Sequence, residues 1–420
     1  MHKVHVRRVS APKSTLTVPV KRMQQRIDQR ANPTPVTRDA LLAQVAIAPS
    51  AEGWTAWRER CPDVDGLSPT EFRLLPFVWQ QLRAQGFIDS VYDGKLRGIH
   101  RKIWYQNRLR LNWAGRLVEQ LHAAGFQVLF LKGLRLIQQF DWDPGTRPCA
   151  DVDLWVRPSQ YAAAKDFLLK QPGMQATGEV RAHACDLVFN SVHALDLHRL
   201  PHLLADPANH ARGSTVGLAP GQGPESLFDA AWAQQDDLAS GLTLSLLNAF
   251  IHDGPDRRTA ISALVDWHRT GIAWASIAPT VEATSLRPAF LAQLDAHPEI
   301  VAQSPVLRAA RAALADRSMW SRAEQALAAN IKTFDAIRAQ GYPWSYHHWL
   351  WTLAGYTPWQ RDLKSIRYGV GFTRKDPNIP LHSRAISIVR GTAYYTLHRR
   401  ASEIARATIN RRSADAARKK

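Results

Sequence analysis

Two aspartates separated by one residue begin a short apolar run in the middle of the chain. Asp151 and Asp153 are followed by Leu154, Trp155 and Val156, a pattern that predicts a β-strand. Because strand side chains alternate between the two faces of a sheet, both carboxylates would lie on one face. Such a pair at a strand end suits Mg²⁺ or Mn²⁺ ions, which in turn would hold a nucleoside triphosphate such as ATP.

The same Asp-x-Asp spacing occurs twice more, in contexts that predict turns. Residues 63–65 lead into Gly66, and residues 141–143 lead into Pro144 and a further glycine. Proline and glycine end regular elements and favour turns. We therefore expect only the pair in the strand to bind metal; the alternative is that all three pairs are solvated loop acids.

A third carboxylate lies in another candidate strand. Asp196 has a leucine on either side, and an acid in such a strand is costly to bury unless a cation pairs with it. If this strand neighbours the first, Asp196 would join Asp151 and Asp153. The alternative is a half-exposed strand on which Asp196 and His198 face water.

The order of these motifs resembles a branch of the DNA polymerase β-type nucleotidyltransferase superfamily that is known mostly as uncharacterised nucleotidyltransferases. That branch has a Leu-Lys-Gly strand end, an Arg-Pro pair and an Asp-x-Asp-Leu strand. These match the chain at Leu131–Gly133, Arg147–Pro148 and Asp151–Leu154, and Asp196–His198 follows. The resemblance covers about residues 98–270.

The resemblance implies roles for the motif residues. The three residues expected to ligate metal and to carry catalysis are Asp151, Asp153 and Asp196. The residues expected to bind nucleotide are Lys132, Gly133 and Arg147. The broader superfamily usually has a serine after the glycine, whereas here Leu134 follows, so Lys132 is expected to supply the charge that holds phosphate. In a helical second domain, His252 and Asp266 resemble positions that face the cleft.

The implied reaction moves a nucleoside monophosphate from an NTP to an acceptor hydroxyl. The acceptor is left open between a small molecule, a peptide, a protein and an RNA end. The alternative is a catalytically inactive protein that uses the fold as a basic nucleic-acid-binding or scaffold protein. The missing serine and the net charge of +18 favour the alternative, whereas three converging acids argue against it because they would repel a polyanion.

Composition and charge bound the remaining possibilities. The chain has 420 residues, 45% of them hydrophobic, which allows two or three domains. Its basic excess is concentrated in residues 1–31 and 399–420; these arms are candidates for nucleic-acid contacts, although such arms are more often simply solvated. Three cysteines without a CxxC motif fit a reducing cytoplasm. No transmembrane segment or secretory signal is predicted.

The elements that must position these residues form an α+β fold. We expect a small mixed β-sheet core with helices packed on it, in the order β-α-β-α-β-β, and mainly helical N-terminal and C-terminal regions. The expected divisions are a basic flexible arm (1–35), a helical region (36–124), the core (125–222), a helical domain (223–380) and a basic tail (381–420). The aromatic segment Trp344–Trp359 is expected to pack in a helical subdomain, with membrane-interface contact or base stacking as alternatives.

Overall fold

The computed structural model of the protein describes residues 36–63, 66–177, 183–202, 222–252 and 259–339, and residue 353. Contacts within the chain divide it into Met1–Thr37 and Arg38–Lys420. The elements below all belong to the second part. Both basic arms lie outside the described residues, and so does the aromatic segment Trp344–Trp359 except for Leu353.

Four helices precede the sheet within the described residues. Their bounds are Arg38–Ile47 (α1), Ala51–Arg60 (α2), Pro69–Ala84 (α3) and Asp93–Ala123 (α4). Helix α3 begins with a capping box, in which the side chains of Ser68 and Glu71 each accept a hydrogen bond from the other's backbone N–H. Helix α4 ends just before Gly125, whose φ of 85° favours glycine. The predicted helical character of this region is confirmed.

Within the described residues, five strands form a mixed sheet. In chain order the sheet and its helices are β1 (Val128–Phe130), α5 (Lys132–Gln139), β2 (Val152–Val156), α6 (Tyr161–Leu169), β3 (Met174–Ala176), β4 (Ala184–Phe189) and β5 (His193–His198). The strand order is β1-β2-β5-β4-β3; β2 and β5 are parallel, and the other neighbours are antiparallel. The α+β prediction is confirmed. Edge strand β3 was not predicted, because three residues with one buried side chain show no alternation.

The two faces of the sheet carry different side chains. On one face, Val152, Leu154 and Val156 of β2 join Leu195 and Leu197 of β5 in an apolar cluster with α4 and α6. Alternation then turns Asp153 and Trp155 of β2 to the opposite face. There Trp155 packs edge-on against Phe228 of the next helix, with ring centroids 5.1 Å apart. The carboxylate of Asp153 therefore lies on the face opposite the main apolar cluster of the sheet.

Eight more helices follow the sheet within the described residues. They are α7 (Pro224–Ala233), α8 (Leu238–His252), α9 (Thr259–Thr270), α10 (Trp274–Ala283), α11 (Arg287–Ala296), α12 (Pro298–Gln303), α13 (Pro305–Ala315) and α14 (Arg322–Ala339). One large apolar cluster draws side chains from α1–α3 and from α8–α14, including the fully buried Trp57, Leu75 and Trp267. Helices that precede the sheet in the sequence and helices that follow it thus share one core. None of the described helices has the length and apolar character needed to cross a membrane.

Candidate active site

A row of carboxylates crosses the sheet on the face that carries Asp153. Asp153 of β2 is the register partner of Asp196 in the parallel neighbour β5, and Asp196 is the partner of Asp186 in β4. Register partners on adjacent strands point to the same face about 5 Å apart. The parallel pairing of β2 with β5 is what brings together two acids that are far apart in the sequence.

A histidine completes a compact group of metal-ligating atoms. Asp153, Asp196 and His198 each offer one ligand atom, and these atoms lie within 4.8 Å of one another. His198 Nε2 is 2.9 Å from Asp153 Oδ1, and both side chains are almost fully buried. His198 was not among the predicted site residues. The sequence feature that could have identified it is the Asp-x-His spacing, because strand alternation turns residues 196 and 198 to one face.

Lys132 lies against the same carboxylate. The backbone N–H of Leu131 donates to the carbonyl of Asp153, so the residue after β1 starts beside β2. Lys132 has a φ of 53°, a left-handed conformation that is uncommon for residues other than glycine. Its Nζ is 2.5 Å from Asp153 Oδ1. The sequence motif predicted that Lys132 binds phosphate, whereas in this structure its ammonium neutralises Asp153.

The three acids differ in how their surroundings affect protonation. Burial, reinforced by the charges of Asp153 and Asp151, raises the pKa of Asp196 to about 6. Burial and the charge of Asp153 also raise the pKa of Asp151. Burial alone would raise the pKa of Asp153, but Lys132 and the hydrogen bond from His198 outweigh it and lower that pKa. A divalent cation would relieve the repulsion among these acids, so the donor set fits a metal.

Arg147, the other cation predicted to bind phosphate, is paired with Asp266. Its Nε and Nη2 lie 3.0 and 2.9 Å from Asp266 Oδ2, and both side chains are largely buried. Asp266 belongs to α9, so the contact joins the loop before β2 to a helix that follows the sheet. Asp266 lies at the cavity described below, where it is the partner of Arg147.

Gly133 allows Arg147 to approach α5 closely. A Cβ atom on Gly133 would lie 2.6 Å from Cys149 Sγ and closer still to Arg147 Nη1. Real side chains do not tolerate such distances, so any larger residue would displace Arg147. The close packing of Arg147 and Cys149 therefore requires a glycine at this position of the Leu-Lys-Gly motif.

Helix α4 holds the loop that ends at Arg147. Asn107 is fully buried, and its Nδ2 donates to the carbonyl oxygens of Pro144 and Arg147 at 2.7 and 2.8 Å. His100 Nε2 lies 2.9 Å from Asp143 Oδ2, and Asp143 Oδ1 also accepts from the backbone of Gly145. The Asp-x-Asp spacing at residues 141–143 is therefore part of a capped turn, in agreement with the prediction.

A cavity of about 260 Å³ opens between the sheet and the surrounding helices. From the sheet side it is lined by predicted site residues: Lys132, Gly133, Arg147, Asp151 and Asp153. From the helices it is lined by polar groups of α3, α8 and α9: Arg73, Ser245, Asn248, Thr259, Ser262 and Asp266. The Asn248 Oδ1 atom is buried and has no hydrogen-bond partner among the described residues. The cavity can take a polar ligand beside Asp151 and Asp153.

Two predicted residues do not join this lining. Asp196 lies on the sheet beside Asp153 without lining the cavity. His252 is the last residue of α8, and its side chain is outside the described part of the structure. Its predicted place in the cleft therefore stays a prediction.

Residues 70–214 match the model of a family described as uncharacterised nucleotidyltransferase. The match begins in α3, earlier than the resemblance suggested, and it ends before His252 and Asp266. No curated protein and no solved structure matches the chain. The match supports nucleotidyl transfer as the general chemistry of this segment. The part of the chain that carries the Leu-Lys-Gly motif, the Asp-x-Asp strand and Asp196 thus matches the model of the uncharacterised nucleotidyltransferase family, and this match confirms the resemblance.

Proposed function

We propose that the protein is a nucleotidyltransferase that depends on Mg²⁺ or Mn²⁺ and moves a nucleoside monophosphate from an NTP to an acceptor hydroxyl. The observation that carries the proposal is the pairing of Asp153 with Asp196 across parallel strands, inside the family match. Asp151 and the cavity lie next to this pair. The acceptor class proposed is a small molecule, a peptide or a protein.

The proposed metal ligands are Asp151, Asp153 and Asp196, which offer the oxygen atoms that Mg²⁺ and Mn²⁺ prefer. A dication held by these carboxylates would supply charge to stabilise the phosphates and would make the acceptor hydroxyl more acidic. In the transfer, the acceptor oxygen forms a bond to the α-phosphorus, the bond from that phosphorus to the bridging oxygen breaks, and pyrophosphate leaves. Asp196 would either ligate the metal on the side of the acceptor hydroxyl or accept the hydroxyl proton.

Two cations would contact the phosphates: Lys132, which must first leave Asp153, and Arg147, which Asp266 holds in place. Lys132 has to exchange Asp153 for a phosphate oxygen, which is feasible because its side chain is a quarter exposed and borders the cavity. Arg147 is held by Asp266 through Nε and Nη2, and a guanidinium has further N–H donors. We propose that the Nη1 group of Arg147, which Gly133 lets approach α5, faces the triphosphate.

A second candidate function is a catalytically inactive fold that serves as a basic nucleic-acid-binding or scaffold protein. The observation that favours it is that both cations predicted to bind phosphate, Lys132 and Arg147, contact carboxylates. Leu134 also stands where the superfamily usually has serine. The carboxylate row argues against this candidate, because acids at a site repel polyanions unless a metal is bound.

The test is transfer of label from each α-³²P-labelled NTP by the purified full-length chain, with Mg²⁺ or Mn²⁺, in the presence and absence of cell extract. We expect labelled product from the wild type and from Asp63→Asn, because Asp63 is an exposed acid of a turn-type Asp-x-Asp. We expect at least a hundredfold loss from Asp153→Asn and Asp196→Asn, provided that their circular dichroism is unchanged. Wild-type turnover by either variant would contradict the proposed site.

A further inference from the structure

Helix α4 has an exposed face that is basic along its length. Residues 94–118 contain seven lysines and arginines and not one acid. The buried side of the same helix, through Asn107, holds the loop of the candidate site. The exposed side has no part in that site. Its composition therefore needs a separate explanation.

Three arginines and two aromatic residues share this face. At 100° per residue, Arg101, Trp104, Tyr105, Arg108 and Arg116 fall within an arc of about 120°, and all five are exposed. We call these five residues the basic stripe. From residue 101 to residue 116 the helix rises about 22 Å, a length that several nucleotides of an extended strand would cover.

The charges of the basic stripe are not neutralised within the described part of the protein. Neither Arg101 nor Arg116 has an ion pair among the described residues, and Arg108 contacts only a ring. Elsewhere on α4 the protein does supply acids, since Arg97 pairs with Asp93 at 2.6 Å. Unpaired guanidinium groups in a row repel one another unless a polyanion binds them.

The aromatic members of the stripe are unusually exposed for their size. The exposed fractions are 41% for Trp104 and 60% for Tyr105. The guanidinium of Arg108 lies 5.4 Å from the ring centroid of Trp104, a cation–π contact that orders the ring at the surface. Exposed rings set among arginines supply both contacts that unpaired nucleotides make, since bases stack on the rings and phosphates pair with the guanidinium groups.

We propose that the basic stripe of α4 binds single-stranded nucleic acid. A duplex would leave the rings unused, because its bases are already stacked. A membrane surface fits less well, since a helix that lies in a bilayer interface needs a wide aliphatic face, and Leu109 is the one exposed aliphatic side chain next to the stripe. The binding is separate from nucleotidyl transfer and needs neither metal nor NTP.

The experiment measures fluorescence anisotropy of a labelled single strand of about 20 nucleotides, as RNA and as DNA, with full-length protein in EDTA at several salt concentrations. The stripe variant carries Arg101→Ala, Arg108→Ala and Arg116→Ala. The control variant has the same change in charge on exposed arginines of α13, of α14 and of the loop between them, through Arg308→Ala, Arg317→Ala and Arg322→Ala. For three lost phosphate contacts, the log–log salt slope of the stripe variant should fall by about 2, and that of the control should not change.

A second variant separates stacking from charge. Trp104→Ala should weaken binding of the single strand by about 5- to 150-fold at fixed salt and leave the salt slope unchanged. Circular dichroism of each variant should match that of the wild type, because these side chains are exposed. Equal effects of the stripe and control variants would overturn the proposal. So would binding of a duplex that Trp104→Ala does not weaken, or binding of anionic vesicles in preference to both nucleic acids.

Discussion

A methyl group added at Gly133 should destabilise the protein by moving Arg147. The new Cβ would lie 2.6 Å from Cys149 Sγ and closer still to Arg147 Nη1, whereas carbon contacts normally lie at about 3.5–4.0 Å. A shift of about 1 Å or more is therefore needed, which would stretch the 2.9 Å contact between Arg147 Nη2 and Asp266 beyond hydrogen-bond range.

The size of the effect follows from two opposing contributions. Breaking a buried ion pair costs about 3–5 kcal/mol, and alanine is favoured over glycine inside a helix by about 1 kcal/mol. Gly133→Ala should then lower the free energy of unfolding by about 2–4 kcal/mol. It should also raise the KM for NTP, because the displaced guanidinium borders the cavity.

The assay is urea unfolding followed by tryptophan fluorescence, with Gly98→Ala as the matched control. Gly98 is also helical and exposed, and a Cβ added to it would have no atom within 4 Å. Gly98→Ala should therefore raise the free energy of unfolding by up to about 1 kcal/mol. If Gly133→Ala were as stable as Gly98→Ala, the close packing of Arg147 on α5 would be refuted.

Three further predictions concern buried polar groups and the carboxylate row. Asn107→Ala should lower the free energy of unfolding by about 1–3 kcal/mol, because two partly buried hydrogen bonds to loop carbonyls are lost; a loss under about 0.5 kcal/mol in urea unfolding would contradict the role given to Asn107. Burial would raise the pKa of Glu71, but the ion pair with Arg38 and hydrogen bonds from Trp57 and Ser68 lower it. Its contribution to stability is thus complete above its unfolded pKa of about 4.3 and is lost as the pH falls through the lower folded pKa. Glu71→Gln should reduce stability at neutral pH and lose less than the wild type on acidification, as urea unfolding at about pH 7 and about pH 3.5 would report. Since Asp196 must be ionised to hold a metal, Mn²⁺ affinity should fall about tenfold per pH unit below its pKa of about 6 and level off above it; electron paramagnetic resonance of free Mn²⁺ would detect this, and Asp196→Asn should weaken the dependence near this pH.

The two helical regions contribute to the site in different ways. Helix α4 holds the loop that leads to Arg147, and Arg269 of α9 donates to Thr146 in the same loop at 2.8 Å. Arg269 also stacks on Trp142, with its guanidinium carbon 3.9 Å from the ring centroid. Contacts from α4 and from α9 therefore hold the loop. They fix the position of Arg147 at its end.

The sequence by itself determined the strand that carries Asp151 and Asp153. An apolar run after two acids, bounded by turn residues, is a local pattern, and strand alternation follows from backbone geometry alone. The same holds for the end of the helix just before Gly125 and for the turn at residues 141–143, because capping and turn chemistry depend on neighbours in the chain. These elements and the family motifs could be predicted without a structure.

Only the tertiary structure decided which charges meet. The pairing of Asp153 with Asp196 depends on β5 lying beside β2, although the chain inserts a helix and two strands between them. The contact of Arg147 with Asp266 spans 119 positions and depends on how α9 packs on the site. Lys132 reaches Asp153 through a left-handed backbone conformation that no sequence pattern predicts. Ion pairs of this kind follow from the packing of distant elements, whereas periodicity and capping report only on local structure.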